Sequence, residues 1–382
     1  MELSEISKLI SPTLSRQLFM MAKKFDDVID FTIGDSDLPT HDKICEAAYK
    51  ATIEGKTHYA PNAGLQPLRK LIANYTSSHI PYTFDDDNVA VTFGATEAIY
   101  LTFMALLNPE DEVIILAPYW VQYENIVKLL GAKPVVIDSF VKDFEPSIDS
   151  IKNAITNKTR AIIVNSPNNP SGFVYSESFM SAIGNLATLN NLYIFADEVY
   201  KTLLYQTDKY TSIAKFCPKE LLVIFNSFSK MFAMTGWRVG FVVAEKELID
   251  AVVKLQQNVA VCVSTPSQYA AIEAMENAEF YTSLIRKTFS ERREVLCNAL
   301  NRCNELNYIQ PEGSFYAFID ISKTGLDSQT FCFSLLEKEH VAVIPGLAFG
   351  KAFDNYVRLA YTLENEKIIE GVKRIKEFLN EL

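Results

Sequence analysis

Short apolar runs alternate with longer segments of helical pattern between about residues 87 and 244. The runs lie at residues 89–93, 113–116, 135–137, 161–164, 192–196, 221–225 and 239–243. Continuous apolar runs of this length are typical of strands that are buried on both faces. Because most of the intervening segments are long enough for crossover helices, the pattern predicts an α/β fold with a mostly parallel seven-stranded sheet flanked by helices.

The connection at residues 226–238 is different, because it is too short and too polar for an ordinary crossover helix. We interpret it as a functional loop, and an antiparallel direction is open to the strand that follows it.

The C-terminal third has another pattern. Helical periodicity continues to Glu276, and a long helix is predicted from Ala278 to Asn304. Strands are predicted at residues 314–319, 341–344 and 356–361, before a charged amphipathic helix that continues to Leu382. This succession predicts a smaller α+β domain. We place the large domain at residues 41–275, and we assign residues 1–40 and 276–382 to the small domain.

Composition excludes several classes of function. With 36 basic and 47 acidic residues the formal charge is −11, and no long single-sign run occurs, so no nucleic-acid partner is expected. The glycines never have dinucleotide-binding or P-loop spacing, and the four histidines lie too far apart for a helix-borne metal site, so no metal is expected. Six scattered cysteines, an acidic N-terminus and the lack of an 18-residue apolar stretch predict a cytoplasmic protein with no membrane partner.

The loop at residues 226–238 reads Asn-Ser-Phe-Ser-Lys-Met-Phe-Ala-Met-Thr-Gly-Trp-Arg and carries the most informative chemistry. It places Lys230 at the carboxyl end of a predicted strand, where open α/β sheets bind ligands. An amine that is desolvated there, close to another cation, has a lowered pKa and can form a Schiff base with a carbonyl. Arg238 offers a planar fork for a phosphate. Together these residues point to pyridoxal 5'-phosphate.

Asp197 follows the apolar run 192–196 at the same edge of the predicted sheet. A carboxylate there can face a ring nitrogen and keep it protonated, which preserves the cofactor as an electron sink. The alternative is an acid that caps the next helix. Tyr200 can donate its phenol to the cofactor's ring oxygen, and ordinary aromatic packing is its alternative.

An anion site is predicted where the first strand of this series meets a helix. Gly94 permits close approach of the backbone, and the amides of Ala95 and Thr96 lie at a helix N-terminus. Ser227 and Ser229 from the lysine loop are further candidate ligands of a phosphate.

Three other residues lie at strand ends or interrupt apolar strands. Asn169, in a turn stiffened by two prolines, can hydrogen-bond a ring oxygen. Trp120 can cover one face of a planar cofactor, although core packing is the more common role of a tryptophan. Arg358 interrupts an apolar strand and needs a partner, which is either a substrate carboxylate or an internal salt bridge.

On these motifs the chain resembles a fold type I pyridoxal-phosphate enzyme of the class I/II aminotransferase family, closest to its aspartate and aromatic aminotransferase branch. The resemblance extends from Asp-Phe-Thr-Ile-Gly at residues 30–34 and Tyr-Ala-Pro-Asn-Ala-Gly at residues 59–64 to Tyr-Val-Arg-Leu-Ala at residues 356–360. It implies that Lys230 binds the cofactor as a Schiff base and that Asp197 pairs with the ring nitrogen. It assigns the ring oxygen to Tyr200 and Asn169.

The resemblance also implies the remaining roles. The phosphate ligands are Ala95, Thr96, Ser227 and Arg238, with Tyr59 reaching the phosphate of a neighbouring subunit in a homodimer. Trp120 stacks on the ring, while Arg358 and Gly34 bind the substrate.

The implied reaction moves an amino group between an L-amino acid and a 2-oxo acid, with an aspartate-, aromatic- or alanine-like donor. Some dicarboxylate-specific relatives carry a second arginine just before Ser264, whereas this chain has Gln-Asn-Val-Ala-Val-Cys-Val at residues 257–263. A carbon–sulfur β-lyase on the same fold is the alternative activity. A pyridoxal-phosphate-sensing regulator is disfavoured by the acidic charge.

Overall fold

The structure is a computed structural model that describes residues 2–10, 14–138, 140–206 and 210–382. The strands are β1 Ile29–Asp30, β2 Val89–Thr92, β3 Glu112–Leu116, β4 Lys133–Ile137, β5 Phe140–Lys142, β6 Glu145–Pro146, β7 Thr159–Asn165, β8 Tyr193–Asp197, β9 Leu222–Ser227, β10 Gly240–Val243, β11 Asn307–Tyr308, β12 Tyr316–Asp320, β13 Val341–Ala342, β14 Ile344–Pro345 and β15 Tyr356–Ala360. The helices are α1 Glu5–Leu9, α2 Leu14–Ala22, α3 Asp42–Ile53, α4 Gln66–Ser77, α5 Gly94–Leu106, α6 Gln122–Leu129, α7 Ile148–Ala154, α8 Glu177–Asn190, α9 Phe228–Met231, α10 Lys246–Val259, α11 Thr265–Glu276, α12 Ala278–Leu300, α13 Ser328–Glu339 and α14 Asn365–Asn380.

A seven-stranded sheet has the order β2-β10-β9-β8-β7-β3-β4. The five strands from β9 to β4 run parallel to one another, and β10 is antiparallel to both of its neighbours. The predicted sheet and its seven strands are therefore confirmed. The connection before β10 contains only the one-turn helix α9, which is too short to return the chain for a parallel strand.

Both faces of this sheet are buried, which explains why its strands read as continuous apolar runs. Ile114 and Ile194 belong to the cluster of buried side chains on one face. Val113 and Phe195, one residue away on the same strands, belong to the cluster on the other face. Because successive side chains in a strand alternate between faces, a sheet covered on both sides needs apolar residues at every position. Each such side chain stabilises the fold by about 1.5–3 kcal/mol relative to exposure.

A second, antiparallel sheet of order β11-β12-β15-β14 lies in the C-terminal third, and α12 packs against α14 there. The N-terminal strand β1 pairs in parallel with β13. The strand predicted at residues 341–344 is divided into β13 and β14, and the long helix ends at Leu300 rather than Asn304. The N-terminal segment therefore joins the C-terminal elements, and the domain division at residues 41–275 stays a prediction.

Candidate active site

A cavity of about 440 Å³ lies at the carboxyl ends of the parallel strands, between the two sheets. Its walls come from the segment after β1, the first turns of α5 and α6, the ends of β7, β8 and β9, and strands β12 and β15. It brings together nearly all the residues predicted from the sequence: Gly34, Ala95, Thr96, Trp120, Asn169, Asp197, Tyr200, Ser227, Ser229, Lys230, Arg238 and Arg358.

Lys230 lies in the one-turn helix α9, and its amine donates a hydrogen bond to the carbonyl of Gly34. The pKa of the amine is lowered to about 8; burial is the main cause, Asp35 opposes the change, and Arg238 and Arg358 add to it. With that pKa, about one tenth of the amines are neutral at pH 7. A neutral amine is the form that attacks a carbonyl or accepts a proton.

The N-terminus of α5 and Arg238 form a cradle for an anion. Gly94 opens the helix with φ of +75°, and an added Cβ would lie 2.6 Å from Nη2 of Arg238, so this approach requires glycine. Arg238 itself has φ of +54°, a conformation that is costly for a residue with a side chain. Its guanidinium donates to the carbonyls of Thr235 at 3.0 Å and Phe93 at 3.3 Å and remains exposed. Helix amides and a guanidinium fit a phosphate group.

Asp197 ends β8 and is buried at the floor of the cavity. The hydroxyl of Tyr123 donates to its carboxylate, and the amide of Val199 donates at 3.2 Å. The pKa of Asp197 is raised to about 6; burial is the main cause, and these two hydrogen bonds oppose it. The carboxylate is therefore mostly ionised at pH 7. No helix follows it directly; the next residues form a turn, so Asp197 caps a turn rather than a helix.

Two asparagines connect the ends of neighbouring strands. Asn165 donates from Nδ2 to the carbonyl of Asp197 at 3.1 Å and accepts from the amide of Asn169 at 2.9 Å. Asn169 in turn accepts from Nη1 of Arg358 at 3.1 Å through Oδ1. The floor of the cavity and the arginine on β15 therefore belong to one hydrogen-bond network.

Arg358 is only 7% exposed, and its Nη2 donates to the carbonyl of Thr32 at 2.5 Å. The guanidinium carbon lies 4.5 Å from the ring centroid of Tyr316 and 5.1 Å from that of Phe349. Burial lowers the pKa of the guanidinium. Within the described residues its Nε has no hydrogen-bond partner and no acidic side chain pairs with it, so the internal salt bridge is not found. A buried donor without a partner fits a ligand carboxylate.

Two aromatic candidates also line the cavity. The hydroxyl of Tyr200 lies 3.0 Å from the hydroxyl of Tyr316, and burial raises the pKa of Tyr200 well above its usual value. Trp120 is partly exposed and meets Tyr123 edge-on, with ring centroids 5.3 Å apart. Tyr200 is 4% exposed and belongs to the core around the small sheet, and Trp120 packs partly buried against the large sheet, yet both side chains line the cavity.

Sequence reasoning missed several lining residues, of which the most consequential are Tyr123, Tyr316, Phe349 and Asp35. A signal existed for Tyr123, which follows Trp120 by three residues and lies in the turn that begins there, where its amide donates to the carbonyl of Trp120 at 3.0 Å. Tyr316 was visible only as one aromatic residue in an aromatic strand.

Tyr59 is the one predicted site residue that does not line the cavity. It is 88% exposed and borders a separate groove formed with residues 262–266. Its predicted contact with a neighbouring subunit's phosphate stays a prediction.

Among the residues that the structure describes, no group of three or more histidine, cysteine, aspartate or glutamate side chains is placed to hold a metal ion. Over the same residues, no helix has both the length and the apolar character that a membrane span requires.

Comparison with known proteins identifies the family. The chain matches the family described as aminotransferase class I and II over residues 26–375. It is 40% identical to the aspartate aminotransferase of Pyrococcus horikoshii, over 97% of this chain and 95% of that protein. It is 35% identical to aromatic-amino-acid aminotransferase 2 of Thermococcus litoralis, over 100% of this chain and 99% of that protein.

A solved structure agrees with these relatives. The aspartate aminotransferase from Thermotoga maritima superposes with a TM-score of 0.93 at 36% identity, over 99% of this chain and 100% of that chain. The chain belongs to the aminotransferase class I and II family and is an aminotransferase. The family match gives no support to the carbon–sulfur β-lyase alternative.

Proposed function

We propose that this aminotransferase depends on pyridoxal 5'-phosphate and moves an amino group between an L-amino acid and a 2-oxo acid in the cavity described above. One observation carries the proposal. The amine of Lys230, with a lowered pKa, shares a single cavity with the buried guanidinium of Arg358, whose Nε lacks a partner among the described residues. The amine is suited to react with a carbonyl, and the guanidinium is suited to bind a carboxylate.

The residues present fit this cofactor. The first turn of α5, with Ala95 and Thr96, and Arg238 on the facing loop suit its phosphate, together with Ser227. When bound, pyridoxal phosphate supplies an electron sink that stabilises negative charge developing at the α-carbon of the substrate.

Asp197 is proposed to pair with the protonated ring nitrogen, as its position at the cavity floor supports. An opposite charge about 4 Å away contributes about 4 kcal/mol at an effective dielectric constant of about 20. That interaction lowers the pKa of a carboxyl that burial otherwise raises to about 6. Asn169 and Tyr200 are proposed to bind the ring oxygen, and Trp120 to cover one face of the ring.

Lys230 is proposed to hold the cofactor covalently and then, with its amine free, to remove the proton from the substrate α-carbon and deliver it, as a general acid, to the C4′ carbon of the cofactor. The lowered pKa keeps enough neutral amine at physiological pH for the first of these transfers.

The substrate is proposed to bind through its α-carboxylate at Arg358, with Gly34 against the same pocket. Relatives named for aspartate and for aromatic amino acids support a donor that is aspartate-, aromatic- or alanine-like. Residues 257–263 contain no arginine, so the side-chain carboxylate of aspartate would need another donor.

We further propose a homodimer in the cytoplasm. The exposure of Tyr59, far above that of a packed tyrosine, supports a contact with a second subunit. All six cysteines are free in the structure, which suits a reducing compartment.

The test is a half-reaction without an acceptor. Purified protein loaded with pyridoxal phosphate is mixed with L-aspartate, L-alanine, L-tyrosine, L-phenylalanine or cystathionine, and its absorbance spectrum is followed. We expect the yellow cofactor to convert to the pyridoxamine form with at least one donor, and the rates rank the donors.

Two outcomes would contradict the proposal. The first is a protein that remains colourless because it does not take up pyridoxal phosphate. The second is an unchanged yellow spectrum while pyruvate and ammonia accumulate from cystathionine, which would establish the lyase activity instead. D-amino acids serve as the matched control, because the proposed carboxylate site gives them no correct placement of the α-proton.

A further inference from the structure

Tyr316 occupies an unusual position between three groups of the candidate site. It begins β12 and is only 2% exposed, yet it lines the cavity. Its ring faces Arg358, with the guanidinium carbon 4.5 Å from the ring centroid. Its hydroxyl lies 3.0 Å from that of Tyr200.

The stacking helps to hold Arg358, which pairs with no acidic side chain among the described residues and donates to Asn169 and Thr32. Its guanidinium carbon lies over the rings of Tyr316 and Phe349, at 4.5 Å and 5.1 Å from their centroids. A desolvated guanidinium on an aromatic face is stabilised by the ring's electrons, and the planar fork is kept in one orientation. A carboxylate in place of the rings would neutralise the cation and occupy its donors. Aromatic support instead leaves the positive charge available to a ligand carboxylate.

The hydroxyl of Tyr316 extends the same contact to the other wall of the cavity. It lies so close to Gly34 that an added Cβ there would be 2.0 Å from the oxygen. Gly34 also accepts the hydrogen bond from Lys230. The phenol therefore has two contacts. One is Gly34, which accepts the hydrogen bond of Lys230, and the other is Tyr200, which is proposed to bind the cofactor's ring oxygen.

We propose that Tyr316 is a positioning residue with two separable effects: its ring orients Arg358 toward the substrate carboxylate, and its hydroxyl orients Tyr200. This inference rests on the carboxylate-binding role proposed for Arg358. It assigns substrate capture to the ring and turnover to the hydroxyl.

The first experiment measures the ring effect by calorimetry on protein loaded with pyridoxal phosphate. The probes are 3-phenylpropionate, which has a carboxylate but no amine, and its neutral isostere 3-phenylpropanamide. In Tyr316→Leu we expect the Kd of the carboxylate to rise about tenfold, the effect of losing a desolvated cation–π contact. The Kd of the amide should change less than about twofold, because the ring supports recognition of charge.

The second experiment measures the hydroxyl effect by steady-state kinetics. Tyr316→Phe keeps the ring, so we expect the KM for the amino acid and the Kd of 3-phenylpropionate to remain within about twofold. Loss of one buried hydrogen bond to Tyr200 should lower kcat about fivefold. The matched control is Tyr361→Phe, which also removes one hydroxyl from a buried tyrosine, whose partner is the carbonyl of Ser314 at 3.1 Å. It lies outside the cavity lining, so both constants should stay at the wild-type values.

The outcomes separate this inference from the proposed function. A wild-type protein that binds the carboxylate no more tightly than the amide would overturn the role of Arg358 itself. If the wild-type protein prefers the carboxylate to the amide and Tyr316→Leu prefers it equally, only the positioning role of Tyr316 is overturned. If Tyr316→Leu fails to fold, Tyr316→Phe tests the proposal by itself. Equal losses in kcat and in carboxylate affinity, or no loss in either, would contradict the assignment of separate effects to the ring and the hydroxyl.

Discussion

The two walls of the cavity are built by different means. On the wall of the large sheet, Lys230, Asp197 and Asn169 lie at or just after the carboxyl ends of parallel strands. On the opposite wall, Arg358 and Tyr316 lie within antiparallel strands of the small sheet, and the facing carbonyl of Thr32 comes from the N-terminal segment.

The difference shows two ways of positioning a side chain. Parallel strands end at a common edge, so topology alone collects whatever polar residues follow them. In the small sheet, Arg358 on β15 lies directly opposite Phe318 on β12. Tyr316 lies two residues before Phe318 and is therefore the diagonal neighbour of Arg358 on the same face. Such neighbours lie within reach of long and aromatic side chains, so the strand register decides the contact. We therefore expect changes on the first wall to act on turnover and changes to Arg358 or its aromatic support on the second to act on substrate capture. The hydroxyl of Tyr316 is the exception, because it contacts Tyr200 of the first wall.

The largest expected effect is at Lys230. Lys230→Ala should lower kcat by about a thousandfold or more, because the proton-transferring amine is lost. Pyridoxal phosphate should still bind, but it should become removable by dialysis. The measurement is steady-state transamination together with the cofactor content after dialysis. Lys246→Ala is the control, since that amine is exposed and pairs with Asp250 at 3.2 Å. Near-normal turnover in Lys230→Ala would refute the assignment.

Substitution at Arg358 should have the next largest effect and should act mainly on KM. Arg358→Ala should lower kcat/KM for an L-amino acid about a hundredfold, because a bidentate, charge-assisted contact is lost. Arg358→Lys should recover only part of it, since an ammonium cannot reproduce the planar fork. Arg374→Lys, on the partly exposed face of α14, is the control. An unchanged KM in Arg358→Ala would remove the distinction between the two walls.

The pH dependence of Lys230 sharpens the description of the first wall. Because its pKa is lowered to about 8, the neutral fraction of the amine rises with pH and reaches about half at pH 8. The rate at which pyridoxal phosphate is trapped on Lys230 by borohydride reduction should therefore be half-maximal near pH 8, as measured by peptide mass spectrometry. Arg238→Met should move this midpoint upward, because Arg238 contributes to the lowering. A midpoint near 10 would show that the amine is not perturbed.

The smallest effect concerns the segment that joins the walls. Asp37 binds Arg292 of α12 through two hydrogen bonds of 2.6 and 2.9 Å, and Arg292 is buried. Asp37→Asn should lower the free energy of unfolding by about 1–3 kcal/mol, since a buried guanidinium loses its counter-charge. Thermal unfolding of the variant and the wild-type protein measures this loss of stability. Asp250→Asn, which breaks an exposed pair, should cost less than about 0.5 kcal/mol. Equal changes in Tm for both variants would show that the Asp37 contact contributes nothing.

The sequence was informative on one wall and poor on the other for a physical reason. Lys230, Asp197 and Asn169 were predicted because a polar residue after an apolar strand is visible in a single segment. Tyr316, Phe349 and Tyr123 were missed because an aromatic residue beside a ligand has the same local pattern as one in a core. Arg358 was singled out, but the sequence left open whether its partner was a carboxylate of the protein or of a ligand.

By itself the sequence determined the seven strands of the large sheet, since burial on both faces requires apolar residues at every position of a strand. It also determined which polar residues follow those strands. Only the tertiary structure decided the contacts made over long separations, such as Arg358 with Asn169 and Thr32, because these depend on how the two sheets and the N-terminal segment pack. The lowered pKa of Lys230 was decided in the same way, since desolvation exists only once distant segments close around the amine.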